Sequence, residues 1–161
     1  MNPCPCGYYG SALRNCICDT GRVRRYRGRI SGPLLDRLDL QVEVPQVDYK
    51  ALTDVRGGEA SATVRARVLA ARAVQRRRFA GSGLHANAQM GPKHIAAWCR
   101  LDAKSATHLG RIVQKRGISA RGVHRILRVA RTIADLKTKE SIEREDLQCA
   151  IDFRALDQEL R

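Results

Sequence analysis

The sequence predicts a mainly helical protein that opens with a cysteine-rich knuckle and a small β remnant. Three observations carry this expectation. From residue 61 onward apolar residues recur at helical spacing, punctuated by Gly and Pro. Four of the six cysteines (Cys4, Cys6, Cys16 and Cys18) fall at the very start of the chain. Only residues 38–44, LDLQVEV, alternate apolar and polar side chains as a strand does.

Taken in order, residues 1–28 show no periodicity and read as a loop or a metal-stapled knuckle. Residues 38–44 place Leu38, Leu40, Val42 and Val44 on one side of a strand that Pro45 stops. A single strand cannot satisfy its own backbone groups, so this one needs a partner that the sequence does not reveal. A Gly-rich polar linker follows at residues 53–59. Residues 61–79 read as a helix with Val64, Val68 and Ala71 on one side and arginines elsewhere, and the glycines at 81 and 83 break it. Pro92 opens a short helix through Ile95 and Trp98. Asp102 caps a helix carrying Ala106, Leu109 and Val113, which Gly117 ends. Ser119 caps the next, with Val123, Ile126, Leu127, Ala130, Ile133 and Ala134 as its buried stripe. A last helix over residues 144–156 buries Leu147, Ile151 and Leu156. Cys99 and Cys149 lie in apolar stripes and are expected in the core. The expected division is residues 1–45, then a linker and basic helix over 46–85, then a helical bundle over 86–161.

With 43% hydrophobic and 29% charged residues the chain has the composition of a folded globular protein rather than a disordered one. It has no apolar run long enough to span a bilayer and no signal-peptide pattern at residues 1–10, so the expected compartment is the cytoplasm, without a membrane partner. The net charge of +14, from 30 Lys+Arg against 16 Asp+Glu, favours polyanionic partners, with nucleic acid first and nucleotide phosphates second. A solvated basic surface is the plainer alternative.

A reducing compartment disfavours disulfides, and Cys4, Cys6, Cys16 and Cys18 form a C-x-C-x9-C-x-C pattern. Four thiolates in one short loop suit the tetrahedral, soft-ligand preference of zinc, although C-x-C is less common than C-x2-C. The alternative is four reduced thiols without metal. Tyr8, Tyr9, Arg14, Arg22, Arg24 and Arg25 surround the motif, so it can touch phosphates or bases. Arg76, Arg77 and Arg78 are further candidates for nucleic acid, or a solvated helix end.

Four runs, MNPCPCGYYG, RYRGRISGPLLDRLDLQVEVP, GEASATVRARVLAAR and SARGVHRILRVARTIADL, resemble in order the Mg-chelatase-like AAA+ ATPases, in their ComM-type branch. The resemblance covers essentially the whole chain. It implies the C-terminal end of an AAA+ core followed by a helical lid. It also implies roles for three residues: Asn2 as sensor 1, Arg37 as an arginine finger acting on a neighbouring subunit's nucleotide, and Arg121 as sensor 2. Such roles suit phosphoryl transfer, which is catalysed by positioning and by positive charge near developing negative charge. On their residues alone, Asn2 reads as a turn, Arg37 as a surface ion pair beside Asp36 and Asp39, and Arg121 as solvated. No glycine is followed by Lys, so the Walker A pattern is missing, and no acidic Walker B strand is found. ATP and Mg²⁺ are therefore expected only where a complete assembly supplies the N-terminal ATPase half, in a hexameric ring. The resemblance leaves two roles, a motor on DNA in recombination or metal insertion into a tetrapyrrole, and the knuckle and the basic charge favour DNA.

A second reading is a stand-alone, zinc-containing nucleic-acid-binding module. The helix after Asp102, the turn at Gly117 and the helix after Ser119 also fit a helix–turn–helix, with Arg121, His124, Arg125 and Arg128 along a recognition helix.

Overall fold

A computed structural model describes the chain except residues 13, 46, 48, 50–52, 54–57 and 155–161. The described residues form two compact units, one within residues 1–56 and one within residues 57–154.

The first unit begins with the irregular cysteine-bearing loop, followed by helix α1 (Thr20–Arg27) and the single turn α2 (Gly32–Leu35). The sequence reading passed over both. Their signals are local: Asp19 caps α1 by accepting from the Arg22 N–H at 2.8 Å, and Arg24, Arg25 and Arg27 sit in its last turn, where cations suit the C-terminal end of the helix dipole. Val23 and Leu35 are the buried anchors. No strand forms among the described residues, which corrects the β remnant expected at residues 38–44. The alternation is real, but Leu38, Leu40, Val42 and Val44 are 42%, 52%, 62% and 81% exposed, with no second strand among the described residues to pair against.

The second unit is helical: α3 (Ser61–Arg78), a 3₁₀ turn at Asn87–Gln89, α4 (Pro92–Trp98), α5 (Ala103–Arg116), α6 (Ala120–Leu136) and α7 (Arg144–Asp152). The expected punctuation is in place. Asp102 accepts from the Ser105 N–H at 2.6 Å and Ser119 from the Gly122 N–H at 3.0 Å. Gly117 ends α5 in the left-handed conformation, φ 59°, that side chains avoid. α6 is the central element. Its Ile126, Ala130 and Ala134 are buried with Leu109, Ile118, Ile142, Leu147, Ala150 and Ile151, and Phe79 meets Trp98 edge to face at 5.1 Å beside Met90, Ile95 and Cys99.

The expected burial of Val64 and Val68 and of Cys149 is corrected. Val64 and Val68 are 39% and 46% exposed; the buried side of α3 starts only at Ala71 and continues through Gln75 to Phe79. Cys149 is exposed, because the inner face of α7 is taken by Asp146, Leu147, Ala150 and Ile151. Leu156 lies outside the described residues.

The second unit also buries charge. Asp135 is fully buried; Arg78 grips it through both guanidinium nitrogens, with Nη1 to Oδ2 at 2.7 Å. Arg131 Nε donates to its Oδ1 at 3.0 Å, and Asn87 Nδ2 donates to Oδ2 at 2.8 Å. Arg131 further closes the Lys139 and Glu140 carbonyls at 2.6 and 2.7 Å, fixing the turn after α6. Buried Asp146 accepts from Lys137 Nζ at 2.6 Å and from the Glu143 N–H at 3.1 Å, tying that turn to the start of α7. Burial alone works to raise both carboxyls, but the paired cations and donors hold Asp135 and Asp146 below the usual carboxylate range.

Candidate metal centre and basic surfaces

The loop before α1 gathers four sulfurs. Gly7 donates to the Cys4 carbonyl at 3.0 Å and takes φ 84°, which turns the chain so that Cys4 and Cys6 face the same point. Cys16 and Cys18 come back to it just ahead of α1. Sγ–Sγ distances are 3.4 Å for Cys4–Cys6, 3.7 Å for Cys4–Cys16 and 3.6 Å for Cys6–Cys16. All four sulfurs lie within 4.8 Å of one another. A regular tetrahedron of thiolate bonds of about 2.3 Å to zinc has edges of about 3.8 Å. The donor set therefore fits a tetrahedral thiophilic dication in both number and spacing.

The electrostatics distinguish the sulfurs. Backbone N–H groups of Tyr8 and Ile17 hold the Cys6 thiol down to about 6. Cys16 moves oppositely: the Cys18 N–H, at 3.4 Å from its sulfur, favours the thiolate, yet burial and the neighbouring Cys6 and Cys4 sulfurs push it up to about 12. The surroundings thus favour negative charge on the Cys6 sulfur and not on the Cys16 sulfur. Cys4, fully buried, forms the inner wall.

α1 docks on this loop through Arg27. Its Nε donates to the Pro3 carbonyl at 3.0 Å, and its guanidinium lies 4.9 Å from the Tyr9 ring centroid. Arg14 covers Tyr8 at 4.7 Å and reaches the phenol oxygen at 3.3 Å. Arg22, Arg24 and Arg25 of α1 are exposed. The candidate sensor residue Asn2 is exposed on the same loop, its Nδ2 3.8 Å from where a side chain on Gly7 would start. Arg37 is exposed just past α2.

The second unit holds the remaining candidates. Arg121 is exposed in the first turn of α6. Arg76 and Arg77 are exposed at the end of α3, whereas Arg78 turns inward to Asp135. The sequence reading grouped the three arginines because they are adjacent, and it missed Asp135. The available signal was Arg131 and Asp135, one helical turn apart on a stripe otherwise meant for the core.

Two family descriptions match the chain: "Magnesium chelatase, subunit ChlI C-terminal" over residues 58–154, and "Magnesium chelatase, subunit ChlI" over residues 1–52. Competence protein ComM of Haemophilus influenzae is 40% identical over 157 residues, 97% of this chain and 30% of that protein. The chain belongs to the Mg-chelatase/ComM-like AAA+ family. It corresponds to that family's C-terminal portion. The protein YifB of Escherichia coli is 39% identical over 158 residues, 98% of this chain and 30% of YifB. A Mycobacterium tuberculosis relative is 35% identical over 153 residues, 95% of this chain and 30% of the relative. The chain thus spans about 30% of the length of each of these relatives. No helix among the described residues is long and apolar enough to cross a membrane.

Proposed function

We propose that this chain serves as the C-terminal part of a ring-forming, ComM-type ATPase that acts on DNA, with one zinc ion closing its first loop. The observation that carries the reading is the four-sulfur cluster flanked by two arginine-covered tyrosines and by the exposed arginines of α1. Zinc held by Cys4, Cys6, Cys16 and Cys18 would be structural, since four protein ligands leave no open position for substrate. Its chemistry is to neutralise the thiolates and fix the loop. Tyr8 and Tyr9 then offer ring faces for bases, and Arg22, Arg24 and Arg25 offer charge for phosphates, with Arg76 and Arg77 as a second basic surface. Arg78 is left to Asp135.

In the same reading Asn2 positions the attacking water or the γ-phosphate, and Arg37 acts in trans on a neighbour's nucleotide in a hexameric ring. Arg121 closes over the nucleotide from a helix N-terminus that itself favours anions. The phosphate-cradling loop and the Mg²⁺ ligands come from elsewhere in the assembly. The charge of +14 favours DNA over a tetrapyrrole as the working partner. The stand-alone helix–turn–helix reading is weaker, because His124, Arg125 and Arg128 are half-buried and Ile126 and Ala130 commit that helix to the core.

The test is fluorescence anisotropy of labelled single-stranded DNA with the zinc-loaded chain. With about five phosphate contacts, affinity falls on the order of 100-fold between about 50 and 200 mM salt. The triple variant R22A/R24A/R25A flattens that dependence. Binding that ignores salt, or no binding at low salt, contradicts the DNA reading.

A further inference from the structure

A second basic feature lies far along the chain from the knuckle and belongs to no candidate site above. Between α5 and α7 the second unit opens a cleft of about 360 Å³ lined by Ala103, Lys104, Thr107, His108, Arg111 and Arg144. Lys104, His108 and Arg111 stand at i, i+4 and i+7, so they share one face of α5. Arg144, the first residue of α7, approaches from the other wall. The walls are joined where His108 Nε2 meets Gln148 Oε1 at 2.8 Å, and Gln148 is oriented in turn by donating to Asp152 at 2.8 Å. The cleft is therefore held open by a polar brace and is not filled by apolar packing.

The cations have no acid opposite them in the cleft lining. Among the described residues Lys104, Arg111 and Arg144 enter no ion pair, although α7 begins with acids. Asp146 is turned inward and taken by Lys137, and Glu143 is taken by Lys139. No acid is among the residues that line the cleft, so Arg111, Arg144 and Lys104, which also feels Asp102, raise its potential for anions. Their spacing defines the anion further. Seven residues of helix separate Lys104 from Arg111 by about 10 Å along the axis. One phosphate cannot touch both, whereas linked phosphates following one another can, as along a nucleic-acid strand at about 3.4 Å of rise each.

We infer that the α5–α7 cleft is a binding site for linked phosphates, with Arg111 and Arg144 gripping one group from opposite walls and Lys104 meeting another further along the same chain of phosphates. Arginine forks suit this task, and the small side chains of Ala103 and Thr107 complete the lining. The inference stands independently of zinc and of any ATPase role.

The test uses the full chain, with tripolyphosphate followed by calorimetry and a labelled oligothymidine followed by anisotropy. The variant R111Q/R144Q is compared with K93Q/R100Q, which removes the same charge from exposed positions outside the cleft. Both pairs are surface residues, and far-UV circular dichroism checks that the helices persist. Loss of two charge-assisted contacts weakens binding of one or both probes about tenfold or more beyond the control variant. Loss confined to tripolyphosphate assigns the site to small polyphosphates; loss that includes the oligonucleotide assigns it to nucleic-acid backbone. Equal weakening by the two variants for both probes, or no binding of either probe by the unaltered chain, overturns the inference.

Discussion

Single residues carry most of the chemistry. Cys4, Cys6, Cys16 and Cys18 can be tested directly. Protein prepared without chelator contains about one zinc per chain, and C16S/C18S removes it, as a four-thiolate site requires. Elemental analysis finding no zinc, or unchanged zinc in that variant, counts against the centre. Asp135 is the other decisive residue. D135N leaves the Arg78 and Arg131 guanidiniums facing a neutral amide in a buried site, a loss of about 3–5 kcal/mol by urea unfolding. The pH dependence follows from the same contacts. Because the folded Asp135 and Asp146 carboxyls titrate lower than in the unfolded chain, their stabilisation is complete above the ordinary carboxylate range, about pH 4. It is lost as pH falls through the lower folded values, and D135N flattens that acid limb. An acid limb of unchanged steepness in D135N shows that Asp135 is not its source.

At the scale of elements, α4, α5 and α6 of the second unit were legible because local residues mark where they start or stop. Pro92, Asp102, Gly117 and Ser119 act within a few residues, so no tertiary knowledge is needed. What failed was whatever depends on a partner. Residues 38–44 have a strand's alternation, but a strand is defined by its neighbour, and among the described residues none exists. Val64 and Val68 have helical spacing, but spacing does not say whether anything covers the stripe. α1 was missed because arginines hide its single buried Val23. In the candidate site, the cysteine pattern announced its own convergence, while the α5–α7 cleft comes from two separate helices and no linear motif contains it. Two glycines test the element-level account. G117A forces a side chain into the left-handed region and costs about 1–2 kcal/mol. G110A, inside α5 with open space around it, gains about 0.5–1 kcal/mol from helix propensity. Similar effects of the two substitutions in urea unfolding would show that the C-cap conformation is not what ends α5.

For the whole molecule, the account divides labour between what these residues hold and what they lack. They hold a basic loop whose four sulfurs are spaced for a metal ion, a helical bundle, and the arginines to which the proposed reading gives a part in phosphoryl transfer. They lack a Walker A loop, since no glycine here precedes a lysine. Hydrolysis in this class needs backbone N–H groups around the phosphates, a lysine on them and a held Mg²⁺, so in the proposed reading Arg37 and Arg121 complete a site built by other residues. The most direct measurement is steady-state ATP hydrolysis by this chain alone and mixed with a full-length relative whose own finger arginine is replaced by alanine. The account predicts no turnover from the chain alone, and rescue in the mixture that R37A abolishes, with a loss on the order of 10³-fold or more as expected of an arginine finger. Zinc content is unchanged by R37A. ATP turnover by the purified chain alone that survives both R37A and R121A, or rescue that survives R37A, would contradict it.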